Sequence, residues 1–446
     1  MLSPTMRGSL KDTAREIYHE VRRRVSVTGA FEAKLPRDED SLFLTGTTID
    51  LATFSDLLVV SMGKAAEVMT LAFLDRISVA PSFTRLHVQG VIASATETAE
   101  IPSGFQYFRG GHPVPDDRSE EAADAILELL SRASDKSLIA FLVSGGGSSL
   151  VEKPLPPLTL DDLRETHRVL TICGAPIADV NTLRKHLSMV KGGRLAQRTG
   201  KAQVLTLLLS DVPEGRPDLI ASGPTLPDPT TVENCREVIE RWKIRDALPE
   251  AVRMLLDGNA LEETPGPEDP AFRNASSHVL LSSRDVIEAG RRAAEELGFR
   301  AAIDIESADW SIEDTAPHLL SKLQDLKMED PSRPACVISG GAILSPVTGN
   351  GRGGRNQAFV LHCVPLIAGK SIVILSAGTD GIDGNSPAAG AVADGLSMAR
   401  ALAIRLNPGD SGRNSDSYPF FSRLGDAILT GPRPGNLRDL RLVLCK

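Results

Sequence analysis

LIAFLVSGGGSSL, residues 138–150, is the stretch on which the fold turns. Its apolar half has no polar alternation, which marks a strand buried on both faces, and it stops abruptly at three glycines and two serines. The same pattern recurs on either side. DLLVVSM (56–62) runs into Gly63 and Lys64 and then a helical stretch, AAEVMTLAFLDRI. HVQGVIAS (87–94) reads as another strand, and VLTLLLS (204–210) runs into DVPEGRPD. Further on, HVLLSS (278–283) precedes the Ala-rich helix RDVIEAGRRAAEELGF, and ACVIS (335–339) meets paired glycines. SIVILSA (371–377) meets GTDGIDG, with AVADGLSMARALAI expected as the helix that follows. Buried aliphatic strands alternating with helices predict an α/β protein whose sheet is mainly parallel. In such sheets ligands bind at the carboxyl ends of the strands, where this chain concentrates glycine, serine and aspartate.

At 446 residues the chain exceeds the size of one growing core, so two domains are expected. The polar, proline-containing stretch 255–277 reads as a linker or long loop, dividing the chain into domains 1–272 and 273–446. With 41% hydrophobic and 24% charged residues the composition is that of a folded globular protein. A net charge of -9 argues against nucleic acid as a partner, and an anionic small substrate must rely on a few placed cations. The five cysteines are scattered and the eight histidines show no paired metal-ligand spacing, which disfavours a disulfide framework or zinc site and fits a cytoplasmic compartment. No apolar run approaches the roughly 18–20 residues of a membrane helix. Arg22, Arg23 and Arg24 lie among acidic residues with no signal core after them, so the N-terminus reads as an amphipathic surface helix.

Several positions suit chemistry on anions. Lys64 stands at a strand-to-helix turn, where an ammonium is favoured only with an anion beside it. Gly145, Gly146 and Gly147 let backbone N–H groups approach a phosphate, and Ser148 and Ser149 add hydroxyl donors; no Walker A pattern occurs. Asp211, at a strand end, suits a general base or a Mg²⁺ ligand. In NTLRKHLSMVKGGRLAQ (181–197), Arg184 and Lys191 would share a face of one helix, and the glycines after Lys191 hint at close approach to a ligand. GNGRGGRNQ (349–357) satisfies G-x-G-x-x-G through Gly349, Gly351 and Gly354, but its strand ends well before it. Arg352 and Arg355 inside the loop favour a phosphate or carboxylate clamp over a nicotinamide cofactor. Asp380 and Asp383 in GTDGIDGNS (378–386) suit a hard cation held partly through substrate phosphates. Each has a structural alternative as a turn, a cap or a solvated charge. Taken together they are the parts of phosphoryl transfer, where the protein mainly positions groups and neutralises charge.

The motifs MGKAA (62–66), GGHPVPD (110–116), SGGGSSLVEKP (144–154), NTLRKHLSMVKGGRLA (181–196), SDVPEGRPDLIASGPTLPDPTT (210–231), GNGRGGRNQ and GTDGIDGNSPAAGAV (378–392) resemble the glycerate 2-kinase family. The resemblance covers nearly the whole chain. It implies a Rossmann-like, doubly wound first domain, a smaller α/β MOFRL-like second domain, and an active site in the cleft between them. The implied reaction takes ATP and D-glycerate to 2-phosphoglycerate and ADP with a divalent cation, Mg²⁺, in a monomer or homodimer. Lys64, Asp211 and Arg355 are then expected as catalytic groups, with the glycine–serine loop, Lys191, Gly351 and Asn356 holding ATP, and Asp211, Asp380 and Asp383 the metal. The chain departs from the family pattern at Ala342, Ala358, Ser282–Ser283 and Arg433–Pro434, which bears on acceptor specificity. Two rivals compete with this reading: an NAD(P)-dependent hydroxypyruvate reductase using the 349–354 glycines and Asp380, and a non-catalytic sugar-acid or nucleotide-binding relative.

Overall fold

The computed structural model describes residues 9–97, 100–258 and 260–446. The chain divides into two compact units, Val27–Leu280 and Met1–Ser26 with Leu281–Lys446. In the first unit, strands β1 (Asp56–Met62), β2 (His87–Ser94), β3 (Phe105–Arg109), β4 (Ser137–Val143), β5 (Gln203–Leu209) and β6 (Ala275–Leu281) form one sheet. Their order is 3-2-1-4-5-6, the doubly wound arrangement, and β1 to β5 pair in parallel. Every residue of β4 is buried, as its unbroken apolar run predicts. A second cluster, including Leu170, Leu183, Val238 and Val252, unites helices Leu160–Ile172, Ile177–His186, Val232–Trp242 and Glu250–Asp257.

The second unit is built on β7 (Arg300–Asp304), β8 (Ala335–Gly341), β9 (Ile372–Gly378), β10 (Gly390–Asp394), β11 (Ala427–Ile428) and β12 (Asp439–Cys445), in the order 7-8-12-9-10-11. β7 and β8 are parallel, and every other pair is antiparallel, so this sheet is mixed. β12 enters between β8 and β9 from the opposite direction. Its first residue, Asp439, thereby pairs with Gly341 and Gly378, the carboxyl ends of both neighbours.

The structure departs from the sequence-based expectations at four places. AVADG is not the start of a helix: 390–394 form β10 against β9, and the helix begins only at Ser397. A Cβ at Gly390 would lie 1.9 Å from the Ser376 carbonyl oxygen, so this pairing depends on the glycine. The N-terminal helix, Leu10–Arg24, is not a surface element. Ile17 and Tyr18 are fully buried, Tyr18 Oη donates to the Gly378 carbonyl at 2.7 Å, and Lys11 pairs with Asp426 at 2.8 Å. Its packing partners lie in the second unit, so a division at 272 leaves it on the wrong side. Of the two readings of the polar stretch, the structure has the long loop over 260–269 rather than the linker, because the first unit pins it down. Arg194 donates to the Glu262 carbonyl, Asp228 N–H to the Pro265 carbonyl, and Thr264 Oγ1 to Asp228. Finally, the helix carrying Arg184 ends at His186, so Arg184 and Lys191 do not share a helix.

Candidate active site

In the first unit the glycine loop follows β4, and each glycine is there because something presses on it. A Cβ on Gly145 would fall 1.9 Å from Asp211 Oδ2. On Gly146, which has φ +87°, it would meet the His112 ring at 3.0 Å and Lys64 Cγ at 3.2 Å. On Gly147 it would meet Ala221 Cβ at 2.7 Å. Asp211, His112 and Lys64, from three different strand ends, therefore converge on one loop. Lys64 is placed by its backbone: its N–H donates to the Gly145 carbonyl at 2.9 Å, and the next N–H, of Ala65, donates to Ser144 Oγ at 3.0 Å. The side chain itself is exposed, as a group that meets substrate must be. Partial burial and the Lys64 ammonium together lower the pKa of His112.

The wall beyond the loop stores strain. Ala221 and Ser222 both have positive φ, +50° and +60°, at about 1–2 kcal/mol each for side chains that avoid the left-handed region. What holds them is a chain of hydroxyls: Ser148 and Ser222 Oγ atoms are 2.7 Å apart, and Ser222 donates to Asn181 Oδ1 at 2.9 Å. Ser149 Oγ donates locally to the Gly146 carbonyl. Lys191 is fully buried, with its ammonium on Glu152 and the Val151 carbonyl. The glycines after it accommodate Thr264 and the Leu226 carbonyl, so their close approach is to the protein itself.

The second unit holds a cleft of about 920 Å³, lined among others by Gly351, Arg355, Asn356, Asp380, Asp383 and Asp439. Arg355 makes a two-pronged bond to Asp439, Nε to Oδ2 at 2.6 Å and Nη2 to Oδ1 at 3.2 Å. Burial works to lower the arginine's pKa, but Asp439 outweighs it and holds the guanidinium charged. Asp439 was not singled out from sequence; its signal is an acidic residue opening the apolar strand LRLVLC. Asp383 is buried and accepts four bonds, from the backbone N–H and side-chain amide of both Asn356 and Gln357. It caps the helix Arg355–Leu366 with the very N–H groups that a dinucleotide pyrophosphate would need. Ser376 Oγ donates to the Asn356 amide oxygen at 2.6 Å. Gly351 packs on the Asn414 carbonyl and Asp416, and its own carbonyl accepts from Asn385 Nδ2. The loop is thus laced to 384–385 and 414–416.

Asp380 lies beside the position where the chain departs from the family pattern. The Arg433 N–H donates to the Asp380 carbonyl at 2.7 Å, while the Asp380 side chain accepts the N–H of Ile382 at 3.2 Å. Ala358 lines the same cleft, and Ala342 donates its N–H to Asp309. Asp304, Glu306 and His318 also approach one another, but Lys322 Nζ sits 2.9 Å from Asp304, and an ammonium within the cluster rules against a cation there.

Two family models match the chain: the domain of unknown function DUF4147 over 13–257, and the MOFRL family over 335–439. D-glycerate 2-kinase from Thermotoga maritima is 34% identical over 397 residues, 88% of this chain and 91% of that protein. A protein of Agrobacterium vitis that carries a provisional hydroxypyruvate reductase name is also 34% identical, over 391 residues, 87% of this chain and 98% of its own. Among solved structures, glycerate kinase from Thermotoga maritima superimposes with a TM-score of 0.84 at 33% identity, covering 98% of this chain and 99% of that one.

Proposed function

We infer the activity of this chain from what it is: it belongs to the glycerate 2-kinase family, a DUF4147 segment joined to a MOFRL segment. It is a phosphotransferase that moves the γ-phosphoryl group of ATP to the 2-hydroxyl of D-glycerate, giving 2-phosphoglycerate and ADP. The observation that carries this reading is the triple-glycine loop, where missing side chains let Asp211, His112 and Lys64 gather at strand ends.

The glycerate oxygen forms the new P–O bond as the bridging P–O bond to ADP breaks, and the hydroxyl proton leaves to a base. Asp211 is the carboxylate placed for that proton, and the Lys64 ammonium neutralises charge gathering on the phosphoryl oxygens. The loop N–H groups supply further donors. Arg355, held flat by Asp439, presents its remaining edge to a phosphate or carboxylate. Mg²⁺ bound with ATP would spread charge over the phosphates, and in the first unit Asp211 is the carboxylate that would hold it. Asp383 and Asp439 are already committed to amides and to Arg355.

A nicotinamide reductase reading meets an obstacle in the second unit, because the Asp383 carboxylate occupies the helix N-terminus that its pyrophosphate would take. Lys64→Ala tests the kinase reading. In a coupled ADP-release assay with Mg-ATP and D-glycerate it is expected to lower kcat/KM by roughly 10²–10³ with an unchanged melting curve. A variant within threefold of wild type would remove Lys64 from the reaction.

A further inference from the structure

The cleft of the second unit is far larger than a contact to Arg355 alone requires. At about 920 Å³ it has the size of a pocket that encloses an organic ligand of nucleotide dimensions, and a three-carbon acid would fill only a small part of it. Its floor is one stripe of the helix Arg355–Leu366. Arg355, Ala358, Leu361, His362, Pro365 and Leu366 recur at helical spacing and all line it. From Arg355 to Leu366 the stripe rises about 16 Å, with a charge at one end and aliphatic carbon at the other.

A second wall is the segment 345–348, and it is held at both ends. The Leu344 N–H donates to the Trp310 carbonyl at 2.9 Å. The Thr348 N–H donates to Ser415 Oγ at 2.9 Å, and Thr348 Oγ1 to the Arg413 carbonyl at 3.0 Å. Between these anchors Val347 stands in solvent. Val347, Leu366 and Ile382 are all large apolar side chains left exposed, and all three line this one cleft. Apolar carbon gathered in one concave place and open to water marks a ligand site. At the polar end Arg355 gives Nε and Nη2 to Asp439, while Nη1 makes no hydrogen bond among the described residues. That edge can take an anion. Asp439 is spent on the other edge, Asp383 accepts four amide bonds, Asp380 accepts the Ile382 N–H, and Glu313 is exposed.

We propose that this cleft is the nucleoside subsite: the purine of ATP lies between Val347 and the Leu361–Leu366 end of the stripe, and the phosphates run toward the free Nη1 edge of Arg355. The inference rests on the kinase reading and says which substrate the cleft takes. Only ATP joins an apolar ring system to anionic groups. Glycerate is polar throughout and leaves the aliphatic end without a partner. The helix N-terminus takes no part, since Asp383 fills it. Val347 and Leu366 are then specificity residues for the nucleotide.

The test measures Mg-ADP binding by calorimetry, and the KM for each substrate, in wild type, Val347→Asp, Leu366→Glu and Val347→Asn, with melting curves as the check on folding. Both positions are exposed, so the substitutions spare the core while making the purine wall polar. The two carboxylate variants are expected to weaken ADP binding and raise the KM for ATP at least tenfold, with the KM for D-glycerate within twofold of wild type. Val347→Asn adds no charge and should weaken ADP at least threefold. A loss confined to the carboxylate variants would be repulsion of the phosphates and overturns the purine placement. ADP affinity within twofold of wild type in every variant, an equal rise in both KM values, or no ADP binding by wild type overturns the subsite. If one variant does not fold, the others decide by the same criterion. Calorimetry needs no turnover, which separates this inference from the kinase reading. ADP binding that the variants lose supports the cleft even if no phosphoryl transfer is seen. Full kinase activity with unchanged nucleotide affinity overturns the cleft and leaves the kinase reading standing.

Discussion

At the scale of single residues, the candidate site is defined as much by absent atoms as by present ones. Gly145 has no side chain because Asp211 occupies its place. Gly145→Ala is expected to push Asp211 or the loop aside and lower kcat/KM at least tenfold, with a melting temperature only a few degrees down. Wild-type activity in this variant would show that the contact does not set the geometry. Lys64, Asp211 and the three glycines were legible because each breaks a pattern, a charge or a glycine run at the end of a buried strand, and Arg355 because it is a cation inside a glycine-rich loop. Asp439 was harder to assign. Its meaning lies in a partner far away in sequence, Arg355. Lys191 shows the opposite error of scale. A lysine beside two glycines looks like a ligand contact, but buried Glu152 claims it.

Among the elements, β1, β4, β5 and β9 were read to within one residue, because burial on both faces leaves no other pattern, whereas β12, broken by Arg441, was not read as a strand. β10 was misread since AVAD is equally at home in a helix, and only the close pairing of Gly390 on β9 decides it. The helix Arg355–Leu366 begins where Asp383 caps it. Burial pushes that carboxyl up to about 6, against the lowering effect of its hydrogen bonds to Gln357 and Asn356 and with Asp439 adding to the rise. A folded value above the unfolded 3.8 means a stabilising contribution present in full below about pH 4 and lost as pH rises through about 6. Asp383→Asn must turn an amide N–H toward one of four donors and is expected to cost about 1–3 kcal/mol. The wild-type advantage in chemical denaturation should widen as pH falls from 7 to 4.5. An advantage that is flat with pH would mean that the carboxyl titrates as an ordinary aspartate.

For the whole molecule, the chain begins in the unit in which it ends. The helix Leu10–Arg24 buries Ile17 and Tyr18 and packs on the helix Ser283–Glu296, β9 and β10. Its amphipathic pattern was visible, but nothing local says which sheet it covers. Tyr18→Ala removes a fully buried ring and the partner of the Gly378 carbonyl, so a loss of about 3–5 kcal/mol is expected in urea denaturation. A loss below 1 kcal/mol would return this helix to the surface role first read for it.

The most direct test of the central claim is to incubate the protein with Mg-ATP and D-glycerate and follow phosphorus by ³¹P NMR, with hydroxypyruvate and NADH or NADPH in a parallel sample. The account predicts ADP and 2-phosphoglycerate appearing in equal amounts, with no nicotinamide oxidation. Nicotinamide oxidation without a new phosphate ester would contradict it and give the 349–354 loop back to a dinucleotide.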